Sequence, residues 1–324
     1  MNICILGAGA IGGYLAAKLS LAGSDVSLIA RGKQLKAIRE DGLTLIENGN
    51  TNTTFPTAYS NALEAGEQDY LIITLKAHSV IEIVADINPL LSRKTHVIWC
   101  VNGLPWWYFY KCPGKFENTK INTIDPDNRQ WEKITPERII GCVVYPAVEV
   151  EAPGKIRHIE GNKFSLGELD GSKTERVTKL ATEFTNAGLR APIRSKIRDE
   201  LWVKLWGNLS FNPISALTGA TLAEMCSDSD CYNLIFKMMS EAQEVGEKIG
   251  VNFPIDIKKR IEGGKSVGDH KTSMLQDLER GRRMELDALV GGIIDLAKIT
   301  EVPVPNIKAV YELTKLKAKI NKCY

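Results

Sequence analysis

The sequence predicts an α/β protein whose N-terminal domain is built on a parallel sheet and whose second domain is all helical. From Met1 to about Arg194, short apolar runs alternate with helical patterns, which is typical of a parallel α/β sheet. From Ser195 onward, long stretches carry helical periodicity with few strand signals. We therefore expect a first domain over residues 1–194 and a second over residues 195–324.

The individual elements follow from local patterns. Short apolar runs predict strands at residues 3–6, 25–29, 70–74, 95–101 and 139–145. Within 148–166, the turn pairs Pro153-Gly154 and Gly161-Asn162 predict hairpins attached to that sheet. Helical periodicity marks residues 197–217, 232–249, 285–299 and 306–321. The polar stretch 113–136 is expected to be a surface insertion in the first domain.

Composition narrows the class of protein. A chain of 324 residues with 44% hydrophobic content can bury two cores. The 41 basic and 39 acidic residues give a net charge of +2, which argues against a nucleic acid or an anionic membrane surface as partner. No leader pattern or membrane-length apolar stretch stands out, so we expect a cytoplasmic location. The seven cysteines and four histidines lack ligand spacing, so no metal site is expected.

A glycine-rich turn follows the first predicted strand. Gly7, Gly9 and Gly12 form the pattern Gly-x-Gly-x-x-Gly, with Ala10 and Ile11 between the last two glycines, in front of a helix predicted over residues 13–21. The first glycine permits a tight turn, the second lets the backbone approach a pyrophosphate, and the third allows helix and strand to pack closely. Because a helix N-terminus attracts anions, this Rossmann-type turn predicts a dinucleotide site. A glycine turn required only for packing is the alternative.

The end of the second predicted strand specifies which dinucleotide. An NAD-binding domain places an acidic residue there, on the ribose 2′-hydroxyl. This chain has Ala30 and Arg31 instead, followed by Lys33. A guanidinium can make charge-assisted hydrogen bonds to a 2′-phosphate, so we predict NADP(H) as the cofactor. The alternative is a pair of solvated surface cations.

The chemistry of the second domain is predicted from segment 199–213. Lys204, Asn208 and Asn212 recur at intervals of four residues, so they share one face of a helix. Their neighbours are apolar and include Trp202 and Trp206. A polar stripe among such neighbours indicates a cleft lining, and we expect the site between the domains, where ligand clefts commonly form. A solvated helix face is the alternative.

Several motifs together resemble the ketopantoate reductase family. They are the Gly7 to Gly12 turn, Lys76 after a strand, Asn102-Gly103, the run Leu-Trp-x-Lys-Leu-x-x-Asn-x-x-x-Asn-Pro ending at Pro213, and Ser273-Met274-Leu275-Gln276-Asp277 followed by Glu285. Their order and spacing cover nearly the whole chain. The resemblance implies an NADPH-dependent 2-dehydropantoate 2-reductase of pantothenate biosynthesis, with a Rossmann-type domain followed by a helical domain.

Two of the matching positions imply the catalytic chemistry. Lys204 is similar to the family's catalytic lysine, and Glu285 is similar to its partner carboxylate. An ammonium group beside a ketone can stabilise the charge that hydride addition builds on the oxygen, and it can donate the proton. Glu285 could orient that ammonium or bind a substrate hydroxyl. Because Glu285 and Asp287 lie on different helix faces, only one of them is expected to line the site.

The other matching positions imply binding roles. The positions similar to substrate-binding residues of the family are Asn102, Asn208, Asn212 and Ser273. Asn102 is also similar to the residue whose amide lies by the nicotinamide, and Lys76 could reach cofactor or substrate charge. Each has an ordinary alternative. Asn102-Gly103 is a common turn, Ser273-x-x-Gln276 has the pattern of a capping box, and a lysine after a strand is usually solvated.

Two features depart from the compact members of the family. An aromatic run, Trp106 to Tyr110, follows Asn102-Gly103, and the polar segment 113–136 follows that run. The aromatic side chains could reshape the pocket for a different 2-keto acid, form a packing cluster, or make a homodimer contact. A small 2-keto acid is the expected substrate. The alternatives are an opine-type dehydrogenase and a catalytically silent sensor that binds NADP(H).

Overall fold

The computed structural model describes every residue from Met1 to Tyr324 and contains two compact units. The first unit comprises Met1–Val101, Phe109–Pro113 and Asn128–Ile197. The second comprises Asn102–Tyr108, Gly114–Asp127 and Arg198–Tyr324. Neither unit is a single stretch of sequence, because the chain passes from one to the other at five points.

The first unit contains all the strands. They are β1 (Ile3–Leu6), β2 (Val26–Ile29), β3 (Leu43–Glu47), β4 (Asn50–Thr54), β5 (Thr57–Tyr59), β6 (Gln68–Ile73), β7 (Leu91–Trp99), β8 (Ile139–Val144), β9 (Ala147–Ala152), β10 (Lys155–Glu160) and β11 (Phe164–Gly167). Its α-helices are α1 (Ala10–Leu21), α2 (Gly32–Asp41), α3 (Ala62–Ala65), α4 (Ala77–Ile83), α5 (Arg129–Lys133) and α6 (Glu175–Asn186). Short 3₁₀ turns lie at Val84–Asp86, Asn88–Leu90 and Pro136–Arg138.

Seven strands form the main sheet in the order β11-β8-β7-β6-β1-β2-β5. Neighbouring strands are parallel except for β11, which runs antiparallel to β8. Every residue of β1 and β8 is buried, as expected for parallel strands covered on both faces. In the register, Leu6 lies opposite both Ile29 and Ile73, so β1, β2 and β6 end at one edge of the sheet.

A second sheet has four strands in the order β4-β3-β10-β9. The predicted hairpin at Pro153-Gly154 joins β9 and β10, but the prediction that these hairpins attach to the main sheet is wrong. Strand β10 pairs in parallel with β3, while β11 alone joins the main sheet. The reason is packing, because Ile156 of β10 is fully buried against Gly13 of α1, a position without a side chain.

The second unit is helical, and the predicted fold class is confirmed. Its helices are α7 (Ile197–Thr218), α8 (Leu222–Ser227), α9 (Ser229–Lys248), α10 (Ile257–Lys265), α11 (Ser273–Glu279), a π-helix (Asp287–Gly291), α12 (Gly292–Thr300) and α13 (Pro305–Ile320). A 3₁₀ turn at Pro126–Asn128 includes two residues of the second unit and Asn128, where the first unit resumes. None of the helices combines the length and the apolar character that a membrane span requires.

The stretch 113–136 is not the surface insertion in the first domain that its composition predicted. Residues 114–127 belong to the second unit, where Ile121, Ile124 and Asp125 are buried. A hydrogen bond of 3.0 Å from Ile124 N to Ile121 O curls the chain, and Ile124 packs against Gly292 of α12. The preceding aromatic residues Trp106, Trp107 and Tyr108 are also buried, so they act as core residues.

Candidate active site

The glycine turn between β1 and α1 has a different local requirement at each glycine. Gly7 has a φ of 112°, a conformation that favours glycine. A Cβ on Gly12 would overlap the carbonyl oxygen of Gly7, so the turn closes only around glycine. At Gly9, by contrast, no atom lies within 4 Å of the position a Cβ would take. The turn is therefore tightly packed at Gly7 and Gly12 and open at Gly9.

Two polar side chains that sequence reasoning missed hold this turn in place. The Oγ1 atom of Thr74 donates a hydrogen bond of 2.8 Å to Gly7 O. The Nε2 atom of Gln34, on α2, donates one of 2.8 Å to Ala8 O. The available signal for Thr74 was its position directly after β6, because parallel neighbours that end together bring the following residues to the same edge.

Arg31 and Lys76 follow strands that end beside the glycine turn. Arg31 lies two residues beyond Ile29, is exposed, and precedes α2 without capping it through its side chain. Lys76 lies three residues beyond Ile73 and precedes α4. The structure thus brings the turn and two cationic residues to the carboxyl edge of the sheet, which is where open α/β sheets bind ligands.

The predicted polar stripe lies on α7. Lys204 and Asn208 are half-buried, and Asn212 is 5% exposed. Elsewhere on the helix, Trp202 and Trp206 are fully buried and donate hydrogen bonds to Tyr108 OH at 2.7 Å and Met239 O at 2.6 Å. These bonds restrain the rotation of α7 within the second unit. The carboxamide side chains of Asn208 and Asn212 each carry N–H donors and an oxygen acceptor.

Lys204 contacts a residue that is far away in sequence. Its Nζ atom donates a hydrogen bond of 2.7 Å to Asn102 Oδ1. The turn that carries Asn102 lies on the π-helix, since Leu104 N donates to Ala288 O at 2.9 Å. Gly103 has a φ of 91°, and a Cβ there would overlap the Ala288 carbonyl. The predicted residues Asn102 and Lys204 are therefore brought together, and Gly103 permits the close packing.

The remaining predicted residues lie on other parts of the second unit. Glu285 is half-buried and lies two residues before the π-helix, and its carbonyl accepts from Leu289 N at 3.1 Å. Ser273 is the exposed first residue of α11 and makes no hydrogen bond to these residues. The capping-box interpretation of Ser273 and Gln276 is wrong, because the side chain of Thr272 accepts from Leu275 N at 3.3 Å and caps α11.

Sequence reasoning also missed Arg260 of α10. Its guanidinium lies directly over Gly207 of α7, where a Cβ would overlap the Nη2 atom. Its Nε atom donates to Val203 O at 3.3 Å. A second cation therefore lies beside the helix that carries Lys204. The available signal was Gly207 itself, because a glycine inside a strongly periodic helix often marks a close approach.

Comparisons with known proteins agree with this architecture. The family models described as ketopantoate reductase PanE/ApbA and ketopantoate reductase PanE/ApbA C terminal match residues 3–105 and 196–318. A 2-dehydropantoate 2-reductase from Mesorhizobium japonicum is 54% identical over the full length of both chains. A crystal structure from Ralstonia solanacearum MolK2, assigned as a ketopantoate reductase, is 37% identical with a TM-score of 0.95 and covers 100% of this chain and 99% of its own.

The fold extends to a more distant enzyme. The ternary structure of D-mandelate dehydrogenase with NADH and anilino(oxo)acetate is 22% identical, has a TM-score of 0.86 and is covered over 100% of both chains. At that identity the likeness concerns the fold alone. The family matches and the full-length relative confirm the resemblance found in the sequence and the prediction of an oxidoreductase. This chain belongs to the ketopantoate reductase family.

Proposed function

We propose that this protein reduces the ketone of 2-dehydropantoate to (R)-pantoate with NADPH, a step of pantothenate biosynthesis. The substrate is supported by the relative from Mesorhizobium japonicum, which is named a 2-dehydropantoate 2-reductase. The structural observation that carries the proposal is the hydrogen bond of 2.7 Å from Lys204 to Asn102, which holds an ammonium group on a polar helix face. That arrangement suits a proton donor to a carbonyl oxygen.

The residues at the sheet edge fit a nicotinamide dinucleotide. The open space at Gly9 leaves room for a pyrophosphate at the N-terminus of α1. Arg31 takes the place where an NAD-binding domain has an acidic residue, so we assign it to the 2′-phosphate of NADPH. Lys76 is assigned to the same cofactor site. When bound, NADPH supplies the hydride that reaches the carbonyl carbon.

Lys204 is the proposed acid. An ammonium group has three N–H donors, and the bond to Asn102 uses one of them. The ammonium group can stabilise the charge that develops on the substrate oxygen and deliver the proton that completes the alcohol. Asn102 fixes the direction of the ammonium, and Glu285 is the proposed partner carboxylate. We assign Asn208, Asn212 and Ser273 to the hydroxyl and carboxylate groups of the substrate.

The test is to incubate the purified protein with a panel of 2-keto acids and either NADPH or NADH. Activity is measured as the loss of reduced cofactor. We expect 2-dehydropantoate with NADPH to give the highest kcat/KM. Turnover of other 2-keto acids but not of 2-dehydropantoate would overturn the assignment of the substrate. Turnover that requires an added amino acid would instead indicate an opine-type dehydrogenase.

A second measurement separates catalysis from cofactor sensing. Lys204→Ala should lower kcat by roughly 100-fold or more and leave NADPH affinity unchanged. The matched control is Lys196→Ala, an exposed lysine just before α7, which should keep wild-type kcat. NADPH binding without turnover by the wild-type protein would show a sensor rather than an enzyme.

A further inference from the structure

We propose that Tyr311 and Tyr324 are positioning residues, which hold Asp287 and through it the π-helical turn between Glu285 and α12. This inference rests on the proposed function of Lys204, Asn102 and Glu285. It concerns three residues that have no assigned role, and it gives the π-helix a function.

The two tyrosines converge on one carboxylate. Tyr311 OH donates to Asp287 Oδ1 at 2.7 Å, and Tyr324 OH donates to Asp287 Oδ2 at 2.9 Å. Burial, followed by the hydrogen bond to Asp287, raises the pKa of Tyr311, so its hydroxyl stays protonated and remains a donor. Lys315 donates to Tyr311 OH at 3.2 Å and lies 4.8 Å from the ring centroid of Tyr324. Asp287 is thus engaged with α13 and with Tyr324.

The same region of the chain also holds the backbone beside Glu285. Met284 N donates a hydrogen bond of 2.8 Å to the carbonyl oxygen of Cys323, the residue before Tyr324. Glu285 therefore lies between two anchors, the backbone bond at Met284 and the side-chain bonds at Asp287. The backbone anchor leads to Cys323, and the side-chain anchor leads to Tyr324 and to Tyr311 of α13. The position of Glu285 therefore depends on these residues.

The π-helix extends this effect to the other candidate residues. Asp287 begins the turn, and its neighbour Ala288 accepts the bond from Leu104 N that seats the Asn102 turn. Asn102 in turn accepts the bond from Lys204. A shift of Asp287 would therefore move Ala288 and the acceptor that orients the Lys204 ammonium. π-helical turns recur at functional sites, and here the turn connects Glu285 to Asn102.

The experiment compares Tyr311→Phe/Tyr324→Phe with Thr314→Val. Thr314 lies on the same helix, is fully buried, and donates to Val310 O at 2.7 Å without contacting Asp287. Both changes remove hydroxyl groups from this part of the unit, so both should lower the melting temperature. Only the tyrosine variant should lower kcat, by roughly 10-fold or more, because a small displacement of reacting groups is costly. Its KM for the substrate and its NADPH affinity should stay near wild type.

A second readout does not need turnover. Hydrogen exchange of the peptide covering residues 102–108 should be faster in the tyrosine variant than in wild type, because the Leu104 amide loses a firmly held acceptor. Thr314→Val should leave that peptide unchanged. Wild-type kcat and wild-type exchange in the tyrosine variant, or equal losses in both variants, would overturn the positioning role. If the wild-type protein turned over no keto acid, the proposed function would fail while the exchange result would still decide this proposal.

Discussion

The Nζ atom of Lys204 and the Oδ1 atom of Asn102 are 2.7 Å apart, although 102 positions separate the two residues in the chain. The contact joins α7 to the turn after Val101, and both partners belong to the second unit. A lysine side chain has many rotamers, so a fixed acceptor reduces the entropy lost when the ammonium meets its substrate. The contact thus orients the proposed acid in advance.

Replacing Asn102 tests this orientation. Asn102→Ala removes the acceptor, and we expect kcat to fall roughly 10- to 100-fold because the ammonium is no longer directed. Thermal unfolding should change little, since Asn102 is half-buried. The control is Asn252→Ala, an exposed asparagine elsewhere in the second unit. A normal kcat in the Asn102→Ala enzyme would show that the hydrogen bond to Asn102 is not needed to orient the Lys204 ammonium.

The glycine turn allows cofactor binding at Gly9 to be compared with close packing at Gly12. Gly9→Ala meets open space, so its free energy of unfolding should stay within about 0.5 kcal/mol of wild type while NADPH affinity drops. Gly12→Ala overlaps the Gly7 carbonyl and should destabilise the protein by about 1–3 kcal/mol. Urea unfolding and NADPH titration on both variants measure the difference. Normal NADPH affinity in Gly9→Ala would count against a pyrophosphate at this turn.

The cofactor assignment predicts an effect that depends on a single phosphate. Arg31→Ala should weaken NADPH binding by roughly 10- to 100-fold, because a charge-assisted hydrogen bond is lost, and should leave NADH binding unchanged. Lys36→Ala, an exposed lysine on the same helix α2, is the control. Equal losses for the two cofactors would mean that Arg31 does not contact the 2′-phosphate.

Acid stability is predicted from Glu47 of β3. This carboxylate accepts from Lys18 at 2.9 Å and from Tyr14 at 3.1 Å, and it ties α1 to the small sheet. Burial alone raises its pKa, but Lys18, Tyr14 and His158 together lower the pKa of Glu47 below the ordinary 4.5. A carboxyl with a lowered folded-state pKa stabilises the protein above pH 4.5, and that stability is lost as the pH falls through the folded value.

The measurement is urea unfolding of Glu47→Gln across this range. The variant should lose about 1–3 kcal/mol at pH 7 and should show a weaker decline in the free energy of unfolding below about pH 4.5. Glu40→Gln, an exposed acid on α2, should retain the wild-type decline. An unchanged acid decline in Glu47→Gln would show that this carboxyl does not carry the effect.

The parts of the fold that sequence predicted are those with a strong local pattern. Strand β1 has the bounds predicted for it, and β8 differs by one residue, because both are continuous apolar runs. The helix that carries Lys204 was also predicted, because its helical periodicity extends over many turns. The small sheet was missed because β3 pairs with β10, more than a hundred positions later, and all five residues of β4 are polar.

In the candidate site, too, local features could be predicted from the sequence, whereas features that depend on tertiary contacts could not. The residue types and the spacing of Lys204, Asn208 and Asn212 are local properties, so the shared face could be predicted. The contact of Lys204 with Asn102 depends on tertiary packing against Ala288, and no local signal marks it. The π-helix is equally hidden, because residues 285–299 have an ordinary helical pattern although the turn at Asp287–Gly291 is wide.

The five crossings of the chain between its units bear on how this protein can be recombined with its relatives. A chimaera joined at a single point near residue 195 would combine a helical unit with a foreign copy of residues 102–108 and 114–127. Those residues include the partner of Lys204 and the buried Ile121 and Ile124. Exchanging residues 102–127 together with 198–324 keeps these contacts within the helical unit. The part of the chain that can be exchanged as a unit is therefore discontinuous in sequence.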